Sequence, residues 1–157
     1  IKYHEGKQRI ILDEQDITSL IRTPEVSQAA SEVAVIPEVR LKLVEIQREI
    51  ANRSSLVMDG RDIGTYVLPN ASLKFYLTAS LDERAKRRWK EIKSKGVEQS
   101  IESIRQSIKE RDNNDQSRSF APLKQSEDAM LIDTTGKSIE QVTAEILGHI
   151  DGYLQRR

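Results

Sequence analysis

Charged residues follow directly after a short apolar run in the middle of the chain. The sequence DGRD at positions 59–62 comes after the apolar residues 56–58, and a second apolar run covers residues 73–77. An Asp-Gly pair is a common hairpin signal, but the two runs lie too far apart for a two-residue loop. If residues 56–58 form a strand of a parallel sheet, the charges lie at its carboxyl end, where such sheets bind ligands.

A second set of charges lies on the predicted core face of a helix that begins at Ser100 and runs to about residue 115. Isoleucines three and four positions apart form its buried stripe, and the same spacing places Arg111 and Asp115 on that stripe. Ionised groups on a core face need partners. Either the two side chains pair with each other, or they line a cleft with Arg118 and Arg61 that suits a nucleotide phosphate and sugar.

The predicted helix over residues 81–95 carries three arginines on one edge, beside an apolar face. They are Arg84, Arg87 and Arg88. Glu83 and Glu91 could balance them as ordinary solvated helical pairs. The alternative is an arginine row that closes over a polyphosphate, because the guanidinium group offers planar, forked donors to phosphate oxygens.

The remaining elements alternate strand and helix, with short strands that are apolar throughout. Strands are predicted over residues 56–58, 73–77 and 130–132. Ser80 and Ser138 are predicted helix caps, and another helix is predicted to begin at Ser100. Strand–helix alternation of this kind is typical of an α/β layer fold with a mostly parallel sheet.

The first third of the chain differs, because it is rich in predicted helix. A hairpin is predicted to end near Leu12, and Asp16 or Thr18 could cap a short helical turn. Thr23-Pro24 is predicted to start a helix that runs to about residue 35. Pro37 opens another through residue 51, whose predicted buried stripe consists of Val39, Leu43, Ile46 and Ile50.

Composition limits the classes of function. The chain has 157 residues, with 25 Lys+Arg, 25 Asp+Glu, a formal net charge of zero and no cysteine. Balanced charge argues against a general electrostatic binder of nucleic acid or membrane, and the absence of cysteine excludes disulfides and cysteine-based zinc sites. No apolar run approaches the length of a membrane span. We expect a cytoplasmic monomer with no nucleic-acid or membrane partner.

Several long motifs, in order, resemble the bacterial cytidylate kinase (CMP kinase) family. They are IRTPEVSQAASEVAVIPEVR, VMDGRDIGTYVLPNA, LTASLDERAKRRW, KERDNNDQSR, APLKQSEDAMLIDTT and SIEQV. The resemblance implies an α/β fold: a P-loop nucleoside monophosphate kinase-like parallel sheet with flanking helices, plus a nucleotide-binding insert with an antiparallel hairpin and helices. It implies that residues 1–52 are part of the CMP-binding insert. Residues 53–157 would be the C-terminal part of the kinase core, with a short lid over about residues 83–95.

The resemblance also implies roles for single residues. Ser31, Arg40 and Asp62 resemble contacts to the cytosine ring. Arg61 and Arg118 resemble ligands of the CMP phosphate, and Arg111 and Asp115 resemble the pair that holds the sugar. The lid residues Arg84, Arg87 and Arg88 resemble those that close over the ATP phosphates, and the catalytic set would be Arg61, Arg118, Arg84 and Arg88. Asp59 resembles a Walker B-like acid that orients hydrated Mg²⁺.

One family motif is missing from the sequence. A P-loop needs a glycine five positions before its Gly-Lys-Ser/Thr, and Leu131 occupies that position before Gly136-Lys137-Ser138. We therefore expect the chain to be a fragment of a longer kinase and to be inactive alone.

The resemblance implies transfer of the γ-phosphate of ATP to CMP, and to dCMP, with Mg²⁺. Another nucleoside monophosphate kinase is an alternative within the same class. A non-catalytic nucleotide-binding or interaction module is the alternative from a different class.

Overall fold

The structure, a computed structural model, describes residues 2–34 and 36–156. The chain divides into two compact units, Ile1–Ser54 and Ser55–Arg157. The sequence prediction placed this boundary after residue 52. Each unit is built from its own local elements.

The first unit begins with two antiparallel hairpins. Strand β1 (Lys2–His4) pairs with β2 (Lys7–Arg9), and β3 (Ile11–Leu12) pairs with β4 (Gln15–Asp16). The prediction of a single hairpin ending near Leu12 is therefore wrong. The second loop contains Asp13 and Glu14 at φ 47° and 68°, and two positive φ values suit a tight hairpin turn. No glycine marks it, so composition did not reveal it.

A short 3₁₀ turn, Leu20–Arg22, follows the second hairpin and has no side-chain cap. The prediction that Asp16 or Thr18 caps it is wrong. Thr18 Oγ1 instead accepts a hydrogen bond from Ile10 N at 2.9 Å, and Asp16 Oδ1 accepts one from Thr18 N at 2.9 Å. These side chains stabilise the second hairpin, since such short polar groups readily bond to nearby backbone.

Two helices complete the first unit. Thr23 caps α1 (Pro24–Val33) through Val26 N, as predicted, while the predicted end at Val35 lies outside the described residues. Helix α2 spans Pro37–Arg53. Its predicted stripe is not buried: Leu43, Ile46 and Ile50 are exposed, whereas Val44 is buried. Periodicity defines a face, but the surface that packs against the helix decides which residues are buried.

The second unit contains one parallel pair, β5 (Phe75–Thr78) with β6 (Met130–Asp133). Residues 55–59 form no strand, so the strand predicted at residues 56–58 is wrong. Val57 is fully exposed. A strand needs a neighbour for its backbone hydrogen bonds, and none of the described residues pairs with this run.

Three helices flank that pair, and each begins at its predicted serine. The helices are α3 (Leu81–Ser94), α4 (Ile101–Ser117) and α5 (Ile139–Leu154). Each cap hydroxyl accepts a backbone N–H bond, at 3.2 Å for Ser80, 3.1 Å for Ser100 and 3.2 Å for Ser138. Helix α3 packs against α4. Within residues 2–34 and 36–156, no helix is both long and apolar enough to cross a membrane.

Candidate functional site

The DGRD segment leads into one wide helical turn. A π-helical turn covers Ile63–Val67, and the Asp62 carbonyl accepts bonds from Tyr66 N at 2.8 Å and Val67 N at 3.1 Å. Val67 is buried and anchors the turn. A Cβ at Gly60 would lie 2.7 Å from Ile63 Cγ1, so any larger residue here would require the Ile63 side chain to shift. The turn thereby fixes the backbone that carries Arg61 and Asp62.

A buried lysine lies beside the same turn. The Lys74 side chain is only 7% exposed, and its Nζ lies 2.7 Å from Asp128 Oδ2 and also donates to the Pro69 carbonyl. A Cβ on Gly64 would meet Lys74 Cδ at 3.4 Å. The hydrogen bond from Lys74 is the main cause of a lowered pKa at Asp128. Lys74 therefore links the turn to the loop before β6.

Asp115, in the last turn of α4, lies between two arginines. Its Oδ2 is 3.2 Å from Arg61 Nε, and its Oδ1 pairs with an Nη of Arg118. The side chains of Arg61, Asp115 and Arg118 are 50%, 2% and 18% exposed. We call these three residues the Asp115 cluster. A buried carboxylate is costly unless it is paired, and here two guanidinium groups pair with it.

The Asp115 cluster carries one excess positive charge, from two arginines and one aspartate. A carboxylate near a helix carboxyl end is unfavourable by itself, because the helix dipole is negative there. The two cations offset this. Arg118 Nε is buried and has no hydrogen-bond partner among the described residues. The cluster therefore retains a positive charge and one N–H donor for a further acceptor.

Arg111 was predicted to pair with Asp115 or to join it in a cleft. Arg111 is exposed, and it forms no ion pair with Asp115 within the part of the chain that the structure describes.

An aromatic contact holds the surroundings of the cluster together. Tyr66, from the π-helical turn, meets Phe120 edge to face with ring centroids 4.7 Å apart. The segment after Arg118 is thus fastened to the turn that carries Arg61.

The three arginines of α3 have different partners. Arg84 Nη1 lies 2.7 Å from Asp112 Oδ2 of α4, and its Nε donates to the Ala79 carbonyl at 3.1 Å. Arg88 Nη1 donates to Glu91 Oε2 at 2.7 Å, within the helix.

Arg87 is bonded to two regions of the unit. It bonds to Glu83 on its own helix and to the turn after β6. The predicted alternative, ordinary helical pairing with Glu83 and Glu91, is therefore present for two of the three arginines, Arg87 and Arg88.

The remaining predicted residues are placed as follows. Ser31 lies in α1, and its side chain is outside the described part of the chain. Arg40, in α2, is half-buried and donates from Nη1 to the Ala34 carbonyl at 3.4 Å. Asp59 is exposed and Asp62 half-buried. Among the described residues, no three His, Asp or Glu side chains form a group that could hold a metal ion.

Three residues around these positions escaped prediction from the sequence. They are Lys74, Asp112 and Thr134, all of which contact a predicted residue or the turn that carries one. Asp112 had a signal, since it stands between Arg111 and Asp115 on a helix where charges already occupied the core face. No such indication existed for Lys74, which lies in a predicted strand, or for Thr134, which lies in an ordinary turn after one.

Comparison with known proteins gives one consistent result. A family model described as cytidylate kinase matches residues 1–152. The cytidylate kinase of Caldicellulosiruptor bescii is 52% identical over 147 residues, which cover 94% of this chain and 65% of that protein. That of Carboxydothermus hydrogenoformans is 49% identical, with 89% and 63% covered. That of Pasteurella multocida is 45% identical, with 96% and 66% covered. The chain thus spans less than two thirds of the length of each.

Proposed function

The chain belongs to the cytidylate kinase family, and we propose that it is part of an enzyme that transfers the γ-phosphate of ATP to CMP and dCMP. Its products would be ADP and CDP or dCDP. Phosphoryl transfer requires little covalent chemistry from the protein. It requires two anions to be held in line, shielded from water and neutralised. In this proposal the chain supplies base, sugar and phosphate contacts as a cytoplasmic monomer.

The Asp115 cluster is the observation that carries the proposal. It combines a buried carboxylate, which accepts hydrogen bonds from hydroxyl groups, with two guanidinium groups, which bind phosphate. A nucleoside monophosphate presents both kinds of partner a short distance apart. Arg118 Nε, which has no acceptor among the described residues, would gain one from the phosphate.

Binding would rearrange the cluster. Asp115 is only 2% exposed, so a sugar hydroxyl reaches its carboxylate only if another group moves. Arg61 is the group that can move, because half of its side chain is exposed. We propose that Arg61 leaves Asp115 for the CMP phosphate, and that the sugar hydroxyls take its place on the carboxylate. Exposed Arg111 would fold over the same sugar.

We propose that Ser31, Arg40 and Asp62 contribute to base selection. Hydroxyl, guanidinium and carboxylate groups together can match both the donor and the acceptor edges of a cytosine ring. A site that is built to hydrogen-bond one base rejects another by leaving its own polar groups unpaired. CMP should therefore bind more tightly than UMP.

In this proposal, arginines of α3 bind ATP. Arg84 and Arg88 would bind the ATP phosphates after leaving Asp112 and Glu91. Mg²⁺ usually keeps several waters and binds through one or two carboxylates plus substrate phosphates, so the exposed Asp59 fits it as a ligand through water. When bound, the ion would neutralise phosphate charge. Arg87 was predicted to join this group, and its contacts are considered below.

A non-catalytic nucleotide-binding module is the alternative function. The 157 residues contain no P-loop motif, and a P-loop cradles phosphates with backbone amides and supplies a lysine. We propose that these residues alone bind CMP without turnover.

The deciding experiment combines two measurements on one sample of native protein. Titration calorimetry with CMP, dCMP, UMP and AMP measures binding, and a coupled assay with ATP, Mg²⁺ and CMP measures turnover. CMP binding with turnover supports the kinase, and CMP binding without turnover supports the module. Turnover that prefers another monophosphate would assign a different kinase, and absence of binding would refute both functions. Arg118→Gln should weaken CMP binding, whereas Lys109→Gln, at an exposed position on α4, should not.

A further inference from the structure

Arg87 has almost no hydrogen-bonding capacity left. Its Nε donates to Glu83 Oε1 at 2.9 Å, and Nη1 donates to Thr134 Oγ1 at 3.0 Å. Its Nη2 donates to the Thr134 carbonyl at 2.5 Å and the Lys137 carbonyl at 3.4 Å. These bonds use four of the five N–H donors of a guanidinium group. A phosphate could be held by two of its donors only after existing bonds are broken.

The partners of Arg87 lie where β5, β6 and α5 meet. Thr134 is buried, and its Oγ1 also donates to the Thr78 carbonyl at 2.9 Å, at the end of β5. Ser80 N, just before α3, donates to Thr135 Oγ1 at 2.9 Å. The first half of α3 is thereby bonded to the carboxyl ends of both parallel strands. Among the residues that make these bonds, Arg87 lies farthest from the start of α3.

Arg88 provides the contrast, although it is the next residue. In the described part of the chain its one hydrogen bond goes to Glu91, a partner on the same exposed helix surface. An exposed pair of this type contributes little to stability, so Arg88 can exchange Glu91 for a phosphate at small cost. The same exchange at Arg87 would break the junction with Thr134.

From these contacts we propose that Arg87 is a positioning residue and not a phosphate ligand. It anchors α3 to the turn that contains Thr134 and so positions Arg84 and Arg88 to bind the ATP phosphates. The inference rests on the proposed kinase function for its consequence. The anchor itself is a property of the fold, and it can be measured without nucleotide.

The first test is a double-mutant cycle on unfolding, in the full-length native protein without nucleotide. Arg87→Gln, Thr134→Val and the double variant are unfolded with urea, and Arg88→Gln with Thr134→Val is the matched control cycle. We expect the first pair to be non-additive by at least about twofold in the unfolding equilibrium constant. The control pair should be additive. Additivity of Arg87→Gln with Thr134→Val would overturn the anchor.

The second test uses turnover, and it separates anchoring from phosphate binding. Thr134→Val should lower kcat about threefold to tenfold, since small misplacement of catalytic groups is costly, and should leave KM for ATP within about twofold. Arg87→Lys should be as slow as Arg87→Ala, because a single ammonium group cannot span the bonds to Thr134 and Lys137. Rescue by lysine, together with normal turnover of Thr134→Val, would show a charge contact to phosphate and overturn the proposal.

The two tests also separate the possible failures. If the wild-type protein turns over no nucleotide, the proposed function fails, and the unfolding cycle alone decides the anchor. If the wild type turns over and the cycle is additive, the function stands and the anchor falls.

Discussion

Arg61 Nε lies 3.2 Å from Asp115 Oδ2, although 54 positions separate the two residues in the chain. The contact joins the DGRD segment to the end of α4 and buries the carboxylate almost completely. Because Arg118 binds the other oxygen, the three side chains form one linked set of ion pairs, and we propose that the same set binds the CMP phosphate.

Asp115→Asn should both destabilise the protein and weaken CMP binding. The neutral amide would leave two guanidinium groups close together without a counter-charge. We expect a loss of about 1–3 kcal/mol in the free energy of unfolding, below the cost for fully buried pairs because Arg61 is half exposed. Urea unfolding and CMP titration measure the two effects. Glu110→Gln, an exposed change on the same helix, should be within about 0.5 kcal/mol of wild type. An equally stable Asp115→Asn protein would contradict the importance of the ion pairs.

Asp62→Asn should weaken CMP binding selectively. A hydrogen bond to a charged group contributes more than one between neutral groups, so we expect CMP affinity to fall roughly tenfold. Discrimination against UMP should fall with it. Titration calorimetry of both nucleotides measures the change, and Asp151→Asn, at an exposed position on α5, is the control. Unchanged CMP affinity would show that Asp62 does not contribute to base selection.

Two glycine-to-alanine changes should have opposite effects on stability. At Gly60 the new Cβ would lie 2.7 Å from Ile63 Cγ1, and overpacking of this kind costs about 1–3 kcal/mol. At Gly148, within α5, nothing lies within 4 Å of the new Cβ, so the higher helix propensity of alanine should add about 0.5–1 kcal/mol. Thermal or urea unfolding compares the two variants. If Gly60→Ala were as stable as wild type, the tight entry into the π-helical turn would be refuted.

The Lys74–Asp128 pair should make stability depend on acidic pH. The pKa of Asp128 lies below its ordinary value of 3.8 in the folded protein, mainly because Lys74 donates a hydrogen bond to it. A lowered folded pKa means that the contribution is present above pH 3.8 and is lost as the pH falls through the folded value. Asp128→Asn should therefore be less stable than wild type at neutral pH, and the two stability curves should converge below pH 3.8. Glu127→Gln, its exposed neighbour, should follow wild type throughout. Parallel curves for wild type and Asp128→Asn would exclude the linkage.

Local features were predictable from the sequence. Thr23, Ser80 and Ser138 were predicted to cap helices, and each accepts a backbone N–H bond from the residue three positions on. A helix was predicted to begin at Ser100, which caps α4 in the same way. The burial of Asp115 was also predictable, because its spacing on α4 continues an apolar stripe. Caps and helical faces depend on residues three or four positions apart, and the sequence states those spacings directly.

The sequence alone determined the family motifs, the caps and the set of charged residues that could bind a nucleotide. Only the tertiary structure decided their partners: Asp115 contacts Arg61 and Arg118 and not Arg111, and Arg87 is bonded to Thr134. It also decided that residues 56–58 form no strand and that the predicted stripe of α2 is largely exposed. The physical reason is that the partner of a charge, a strand or an apolar face is whichever group the fold brings within contact distance. Spacing along the chain does not contain that distance.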